Sequence, residues 1–426
     1  MTPAAITASL TPRKRFTLSG WQFAMLLFVL AFVIRLAVTA TLRNLHHFPN
    51  PSCCGADAIE FNDLALNLAS GRGYTLNNHV SAFRAPGFPA LLSLVYRVSY
   101  EDYFLAYITF CVVGALTCVA TYYLARSLIS ERAARLSGVL LAIYFPHAYF
   151  SSTFLAEALT AFLLTLGPLL LIRFFKSGAV WLLIGAAVAF GYASLTRPFA
   201  FLCIPMSAAI IAWHSFRSGK GRVRPLLYFA IASTIVLTPW AYRNYRIYHQ
   251  VVVFTTNGGS TFYGSNNDVT LHDAAHMGGW VSTTELPHRD WIDRTPDEVS
   301  HDRMEWSLGW AWVRSHWRWL PLLVLYKTGR FILPELWSQN RMFVLAQCVT
   351  YLPLAALIAL GLFRNARTAA FRSPAWLVVH SVIVANLIAT VVFYGSARFR
   401  DCTASVLVLY AATSVKSSLV ELAKKV

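Results

Sequence analysis

Charge is what this chain of 426 residues has least of: 13% of its residues are Asp, Glu, Lys or Arg, against 57% hydrophobic. Such a composition cannot furnish the polar surface of an ordinary soluble domain. Acidic side chains are the scarcer kind, 19 against 36 basic ones, for a net charge of +17. In a soluble chain that balance would suggest a nucleic-acid partner. Here the Lys and Arg fall in short clusters between apolar segments, the pattern of loops beside membrane spans, and no nucleic acid is expected. Also missing are a P-loop, a serine nucleophile elbow, a Cys-x-x-Cys pair and a haem signature, so nucleotide hydrolysis and redox chemistry have no support. No heptads, low-complexity tract or internal repeat stand out, which disfavours the inverted-repeat architecture of many transporters.

What the chain does have is apolar segments of about 20 residues, the length that spans a bilayer. They fall near 21–41, 103–125, 134–151, 153–174, 178–195, 198–214, 225–241, 343–363, 374–394 and 402–421. The expected fold class is therefore an all-α polytopic membrane protein with about ten transmembrane helices. An eleventh candidate, 318–336, contains Lys327 and Arg330, full charges that are costly at the bilayer centre. Ten spans with a cytoplasmic N-terminus place every basic cluster inside, "RSGKGRVR" at 217–224 and Arg364, Arg367 and Arg372 among them. Segment 318–336 then reads as an amphipathic or re-entrant helix on the outer face, and both termini lie in the cytoplasm. The basic Arg13, Lys14 and Arg15 precede a first apolar run longer than that of a signal peptide, so it reads as an uncleaved anchor. Two outer loops are long, 42–102 and 242–317, and loops of that length are usually functional. The chain divides into an N-terminal membrane module (1–241) with its first outer loop, an outer loop with an interfacial helix (242–342), and C-terminal membrane helices (343–426). Of seven cysteines, Cys111, Cys118, Cys203 and Cys348 lie in apolar runs as small hydrophobes, while Cys53 or Cys54 is a candidate disulfide partner for Cys402.

With this sidedness the conspicuous polar residues near the bilayer converge on the outer face: Asp57, Glu60, Arg84, His147, Glu157, Arg197, Arg243, Arg398 and Arg400. "DAIEFNDLALNLASGRGY" predicts an interfacial amphipathic helix ending at Gly71-Arg72-Gly73, with Asp57 in its first turn. There Asp57 either caps the helix or serves as a general base, with Glu60 and Asp63 in reserve. "FRAPGFP" fixes a turn and presents Arg84 at its corner. Glu157, a carboxylate near the end of a strongly apolar helix, is a functional candidate by default. Arg197 and Arg243 sit where helices meet the headgroups, and Arg398 and Arg400 bracket an aromatic residue in a pattern suited to a phosphate. "TTNGGSTFYGSNN" (255–267) reads either as a flexible loop or as a source of amides for a sugar or phosphate. His272 and His276, four apart, have zinc-like spacing without the glutamate of the protease motif.

The ordered series "DAIEFNDLALNLASGRGY", "FRAPGFP", "FLAEAL", "LTRP", "TPWAYRNYR", "NGGSTFYGSNN" and "ARFR" resembles the polytopic membrane glycosyltransferases of the GT-C superfamily. The likeness is to the bacterial family 39 group related to protein mannosyltransferases and aminoarabinose transferase. That resemblance implies an inverting transfer of a sugar from a polyprenyl-phosphate donor to a glycan, glycolipid or protein acceptor in a bacterial plasma membrane. It implies Asp57 as the catalytic residue, with Glu60 or Asp63 as the second acidic residue. It further implies that Glu157 is the acidic residue of the second outer loop, and that Arg398 and Arg400 hold the lipid phosphate. Arg84, Arg197 and Arg243 are further substrate-binding candidates by their place on the outer face. The sequence departs from the pattern in having a single Asp at 57 where the mannosyltransferases show Asp-Glu, and "DCTAS" where a proline commonly follows the arginine pair. No cofactor is assigned with certainty, and a divalent metal ion is left open. A transporter or flippase for lipid-linked saccharides and an O-antigen polymerase or ligase are the competing readings.

Overall fold

The computed structural model describes residues 18–46, 55–99, 102–217, 223–336, 338 and 340–415, and it is nearly all helix. The chain opens with α1 (Gly20–His46) and α2 (Ala56–Ala69). A two-stranded antiparallel ladder of β1 (Thr75–Leu76) and β2 (His79–Val80) leads into α3 (Gly87–Ser99). Next come α4 (Tyr103–Arg126), α5 (Glu131–Ile143), α6 (Phe145–Phe150), α7 (Glu157–Ser177), α8 (Val180–Thr196), α9 (Cys203–Arg217) and α10 (Arg224–Tyr248). The second long loop carries α11 (Gly258–Tyr263), α12 (Asp268–His272), α13 (Arg289–Asp293) and α14 (Glu298–Ser315). The chain then runs through α15 (Leu320–Ile332), α16 (Arg341–Asn365), α17 (Pro374–Val392), α18 (Ala397–Cys402) and α19 (Ala404–Ala412).

Among the described residues, seven helices are long and apolar enough to cross a membrane: Gly20–Leu42, Tyr103–Arg126, Glu157–Ser177, Pro198–Arg217, Arg224–Tyr248, Arg341–Asn365 and Pro374–Val392. The chain is a multi-pass membrane protein. The other three segments of the expected ten are helical but shorter. α8 has 17 residues, and 134–151 is split into α5 and α6 at an extended Tyr144. The split has a local cause, because Pro146 lacks an N–H and can only sit in the opening turn of α6. Segment 402–421 begins in α18 and α19, of 6 and 9 residues. Segment 318–336 gives α15, whose 13 residues make about 20 Å of helix against a hydrocarbon core of about 30 Å.

The core is α4, α7 and α8. In lipid there is no hydrophobic drive between helices, so close packing of small residues holds them together. Ala186, Ala187 and Phe190 are fully buried, and a Cβ on Gly167 would stand 2.8 Å from the Phe190 ring. Only two residues join α7 to α8, so the pair is an antiparallel hairpin with Glu157 and Thr196 at the same end. Gly87 brings α3 to that end: a Cβ there would lie 2.5 Å from Thr196 Oγ1, and the Gly87 carbonyl accepts from Tyr192 Oη at 2.8 Å. The corner before α3 is thereby set beside the end of α8. Cys53, Cys54, the Arg13–Arg15 cluster and the two termini, for which the sequence raises expectations, lie outside the described residues.

Candidate active site

α2 forms where the spacing predicts it and stops before Gly71 and Gly73, both at φ 79°. Asp57 lies in its first turn, yet the helix has no side-chain cap, and the Asp57 carboxylate points elsewhere. Its Oδ1 pairs with Arg84 Nη2 at 2.7 Å and its Oδ2 with Arg398 Nη1 at 2.9 Å. Arg84 also donates from Nε to Glu60 Oε2 at 2.5 Å. Arg398 Nε and Arg197 Nη2 converge on Glu157 Oε1. Five separate parts of the sequence thus build one ladder of alternating charge, Glu60–Arg84–Asp57–Arg398–Glu157–Arg197. It holds three carboxylates and three guanidiniums.

Glu157 is the buried pivot of the ladder, 1% exposed in the first turn of α7, where a helix N-terminus also favours an anion. Three polar atoms around it are buried without partners: Glu157 Oε2, Arg197 Nε and Arg398 Nη2. Buried guanidinium N–H groups are expensive to leave unsatisfied, so two of them side by side mark the place for an acceptor oxygen. Burial pushes the Asp57 carboxyl up, but Arg398, then Arg84 and Arg197, outweigh it and hold the group well below the usual carboxylate range. Tyr394 joins the site although sequence reasoning passed over it. Its ring lies 4.7 Å from that of Phe399, burial pushes its phenol up, and it feels the charges of Arg398, Arg197, Asp57 and Glu157. Its place in "FYGSARFR", four residues before Arg398, was the available signal.

The structure separates the other candidates from this ladder. Arg400 shares no ion-pair partner with Arg398 among the described residues. It is 2% exposed, pairs with Asp401 at 3.0 Å, lies 3.6 Å over the Tyr351 ring, and donates from Nη1 to the carbonyls of Phe331, Ile332 and Leu333. Its donors are used on the C-terminus of α15. Arg243 is likewise occupied, donating to the carbonyls of Ser81 and Tyr74 and lying 4.8 Å over Trp240. Through Tyr74, whose hydroxyl donates to the Arg84 carbonyl at 2.9 Å, it steadies the corner that presents Arg84. His147 meets the buried Arg35 of α1 at 2.7 Å, and Asp63 takes no part in the ladder among the described residues. Several amides of the 255–267 stretch are taken up within the protein. Asn266 and Asn267 donate to the carbonyls of Phe262 and Tyr263, and the Gly259 N–H donates to Asp302. α12 ends at His272, and His276 pairs with Asp273, so the two imidazoles share no helix face.

Among the described residues no group of three His, Cys, Asp or Glu side chains is gathered to hold a metal ion. The ladder's carboxylates are each paired with arginine.

Comparisons with known proteins bear on the fold. The sequence model described as dolichyl-phosphate-mannose-protein mannosyltransferase matches residues 83–242, which hold Arg84, Glu157 and Arg197. No curated protein sequence matches the chain. The crystal structure of the Archaeoglobus fulgidus oligosaccharyltransferase in the apo form is similar over 92% of this chain and 50% of its own, at TM-score 0.54 and 13% identity. Archaeal oligosaccharyltransferase AglB from the same organism, in complex with an inhibitory peptide and a dolichol-phosphate, gives TM-score 0.52 and 14% identity with the same coverage. ArnT from Cupriavidus metallidurans bound to undecaprenyl phosphate gives TM-score 0.48 and 12% identity over 93% of this chain and 78% of that one. The chain spans about half the length of the oligosaccharyltransferases it matches. The resemblance to GT-C polytopic membrane glycosyltransferases is thus carried by a family match in the first half and by a shared fold over most of the chain.

Proposed function

We propose that the chain is an inverting glycosyltransferase, moving a sugar from a polyprenyl-phosphate donor to a hydroxyl of a cell-envelope acceptor at the extracytoplasmic face. One observation carries this reading: Arg197 and Arg398 keep unpartnered, buried N–H donors next to Glu157, and Arg398 also touches Asp57. A lipid-linked phosphate presented beside the bilayer meets that demand, since guanidinium forks match phosphate oxygens. A dolichol-phosphate bound to an archaeal protein of the same fold supports the donor class.

The chemistry follows as one displacement. The acceptor oxygen attacks the anomeric carbon, the carbon–oxygen bond to phosphate breaks, and its electron pair leaves on a phosphate oxygen facing Arg398 and Arg197. The hydroxyl proton passes to Asp57 Oδ2. At rest Asp57 is a weak base, because Arg84 and Arg398 occupy both of its oxygens. A phosphate that draws Arg398 toward itself frees Oδ2 and relieves the charge that depresses the carboxyl. Donor binding thereby arms the base, and acceptor activation follows it.

A purified chain given radiolabelled polyprenyl-phosphate sugar and an envelope fraction is expected to release polyprenyl phosphate and form a glycoside of inverted anomeric configuration. Retained configuration would overturn the single displacement, and translocation of intact donor between leaflets would favour the transporter reading. The face is tested separately: a reporter fused after Arg367 is expected in the cytoplasm and one after Ser338 outside. The reverse pattern would move the site to the cytoplasmic face.

A further inference from the structure

Lys327 is a buried amine, 1% exposed, with no carboxylate beside it among the described residues, and burial alone pulls its pKa down to about 7. A charge in that position costs several kcal/mol unless its hydrogen bonds are met. They are met by carbonyl oxygens alone: Asn266 Oδ1 at 2.8 Å, and the main-chain carbonyls of Val391 at 3.3 Å and Val392 at 3.5 Å. Three ammonium N–H groups meet three acceptors. Val391 and Val392 are the last residues of α17, where the unpaired carbonyls gather the negative end of the helix dipole, so Lys327 is a C-terminal cap supplied by another helix.

The reciprocal contact lies nine residues on. Arg400, in α18, donates to the carbonyls of Phe331, Ile332 and Leu333, the C-terminal turn of α15. Each helix thus contributes a cation to the other's neighbourhood: α15 caps the end of α17, and α18 caps the end of α15. Between the two clasps the backbone lies directly on α15. A Cβ on Gly395 would stand 1.9 Å from the Lys327 carbonyl oxygen, so only glycine fits, and the Gly395 N–H donates to the Gly278 carbonyl at 2.8 Å. Arg398 sits inside this clasped stretch, and among the described residues it is the only arginine that pairs with both Asp57 and Glu157.

We propose that Lys327 is a positioning residue for Arg398: together with Arg400 it clasps the 391–400 segment onto α15, and binding of the donor's phosphate depends on that clasp. The second half of the proposal rests on the functional reading above; the first half does not. The outer face of α15 carries exposed Leu325 and Ile332, so the mount is an amphipathic helix with its apolar side free for lipid.

Full-length protein in detergent tests both halves, with undecaprenyl phosphate as the probe and amide hydrogen exchange as a readout that needs no activity. Lys327→Met keeps the length of the stem and removes the donors. Exchange across 391–402 is expected to quicken at least about tenfold while α7 stays at its wild-type rate, and the Kd for undecaprenyl phosphate is expected to rise about tenfold. Lys327→Gln, which restores N–H donors without charge, is expected to recover most of both; should the Met variant fail to accumulate, Asn266→Ala, which removes the nearest acceptor of Lys327, carries the comparison with the same quickening expected. Wild-type exchange across 391–402 in Lys327→Met overturns the clasp. Quickened exchange with unchanged binding overturns the coupling to Arg398. A wild-type chain that binds no undecaprenyl phosphate sinks the functional reading instead, and the exchange comparison then decides the clasp by itself.

Discussion

Asp57→Asn is expected to lower kcat for sugar transfer by about 10²- to 10⁴-fold, the range lost with a positioned general base, while the protein still accumulates in membranes. The kinetic signature separates a base from a merely structural carboxylate. The ladder balances at rest, with Asp57, Glu60 and Glu157 against Arg84, Arg197 and Arg398. Removing one carboxylate takes that sum from 0 (−3 + 3) to +1 (−2 + 3). An anionic donor should then bind more tightly, so KM for the donor is expected to fall together with kcat. Transfer at the wild-type rate in Asp57→Asn would remove Asp57 from the chemistry. A fall in kcat with a raised KM would reassign it to donor binding.

The site was legible as a set of charges and illegible as a set of pairs. The amphipathic spacing around Phe61, Leu64 and Leu68 and the stop at Gly71 fixed α2, and hence the place of Asp57, because local propensity and burial agree there. Arg84 was readable only as the corner of a proline turn; that its side chain bridges Asp57 and Glu60 depends on α3 docking against α8 through Gly87, a contact between residues more than a hundred apart. Arg398 and Arg400 illustrate the limit most directly. As a linear motif the two flank an aromatic residue and look equivalent. Ser396 caps a helix that begins at Ala397, and residues two apart on a helix lie about 200° around it, so one arginine faces the carboxylates and the other faces α15. The serine was visible, but the helix it opens is six residues long and depends on its tertiary setting.

Buried cations inside apolar stretches were the other gap. Arg35 stands in the first span with His147 as its partner, and hydropathy averaging absorbs a single arginine among so many apolar neighbours. Lys327 was read for its cost to a span. That same cost requires acceptors, and the ends of α17 supply them. A charge too costly for lipid therefore carried two messages, an expectation against a span and the presence of a cap.

Arg398→Gln is expected to have an effect of a different shape, since this one guanidinium donates from Nε to Glu157 and from Nη1 to Asp57 and leaves Nη2 unpartnered for a ligand. Losing a preorganised donor of this kind typically costs about 10²–10³ in kcat, with donor binding weakened as well. The more diagnostic consequence is in the pH profile. Arg398 is the strongest charge holding the Asp57 carboxyl down, and burial pushes the other way. Without Arg398 the carboxyl must rise, because burial remains and only Arg84 and Arg197 oppose it. A group with a depressed pKa stays ionised until the pH falls through that low value, so the wild-type chain should show no acid limb from Asp57 across the working range. In Arg398→Gln the acid limb of kcat/KM is expected to move up into the ordinary carboxylate range, and activity should fall as the pH is lowered through it. Arg398→Lys keeps the charge and loses the fork that bridges two carboxylates, so it is expected to restore the pH profile more fully than the rate. A limb that does not move in the glutamine variant would show that Asp57 is not the group whose ionisation the reaction requires.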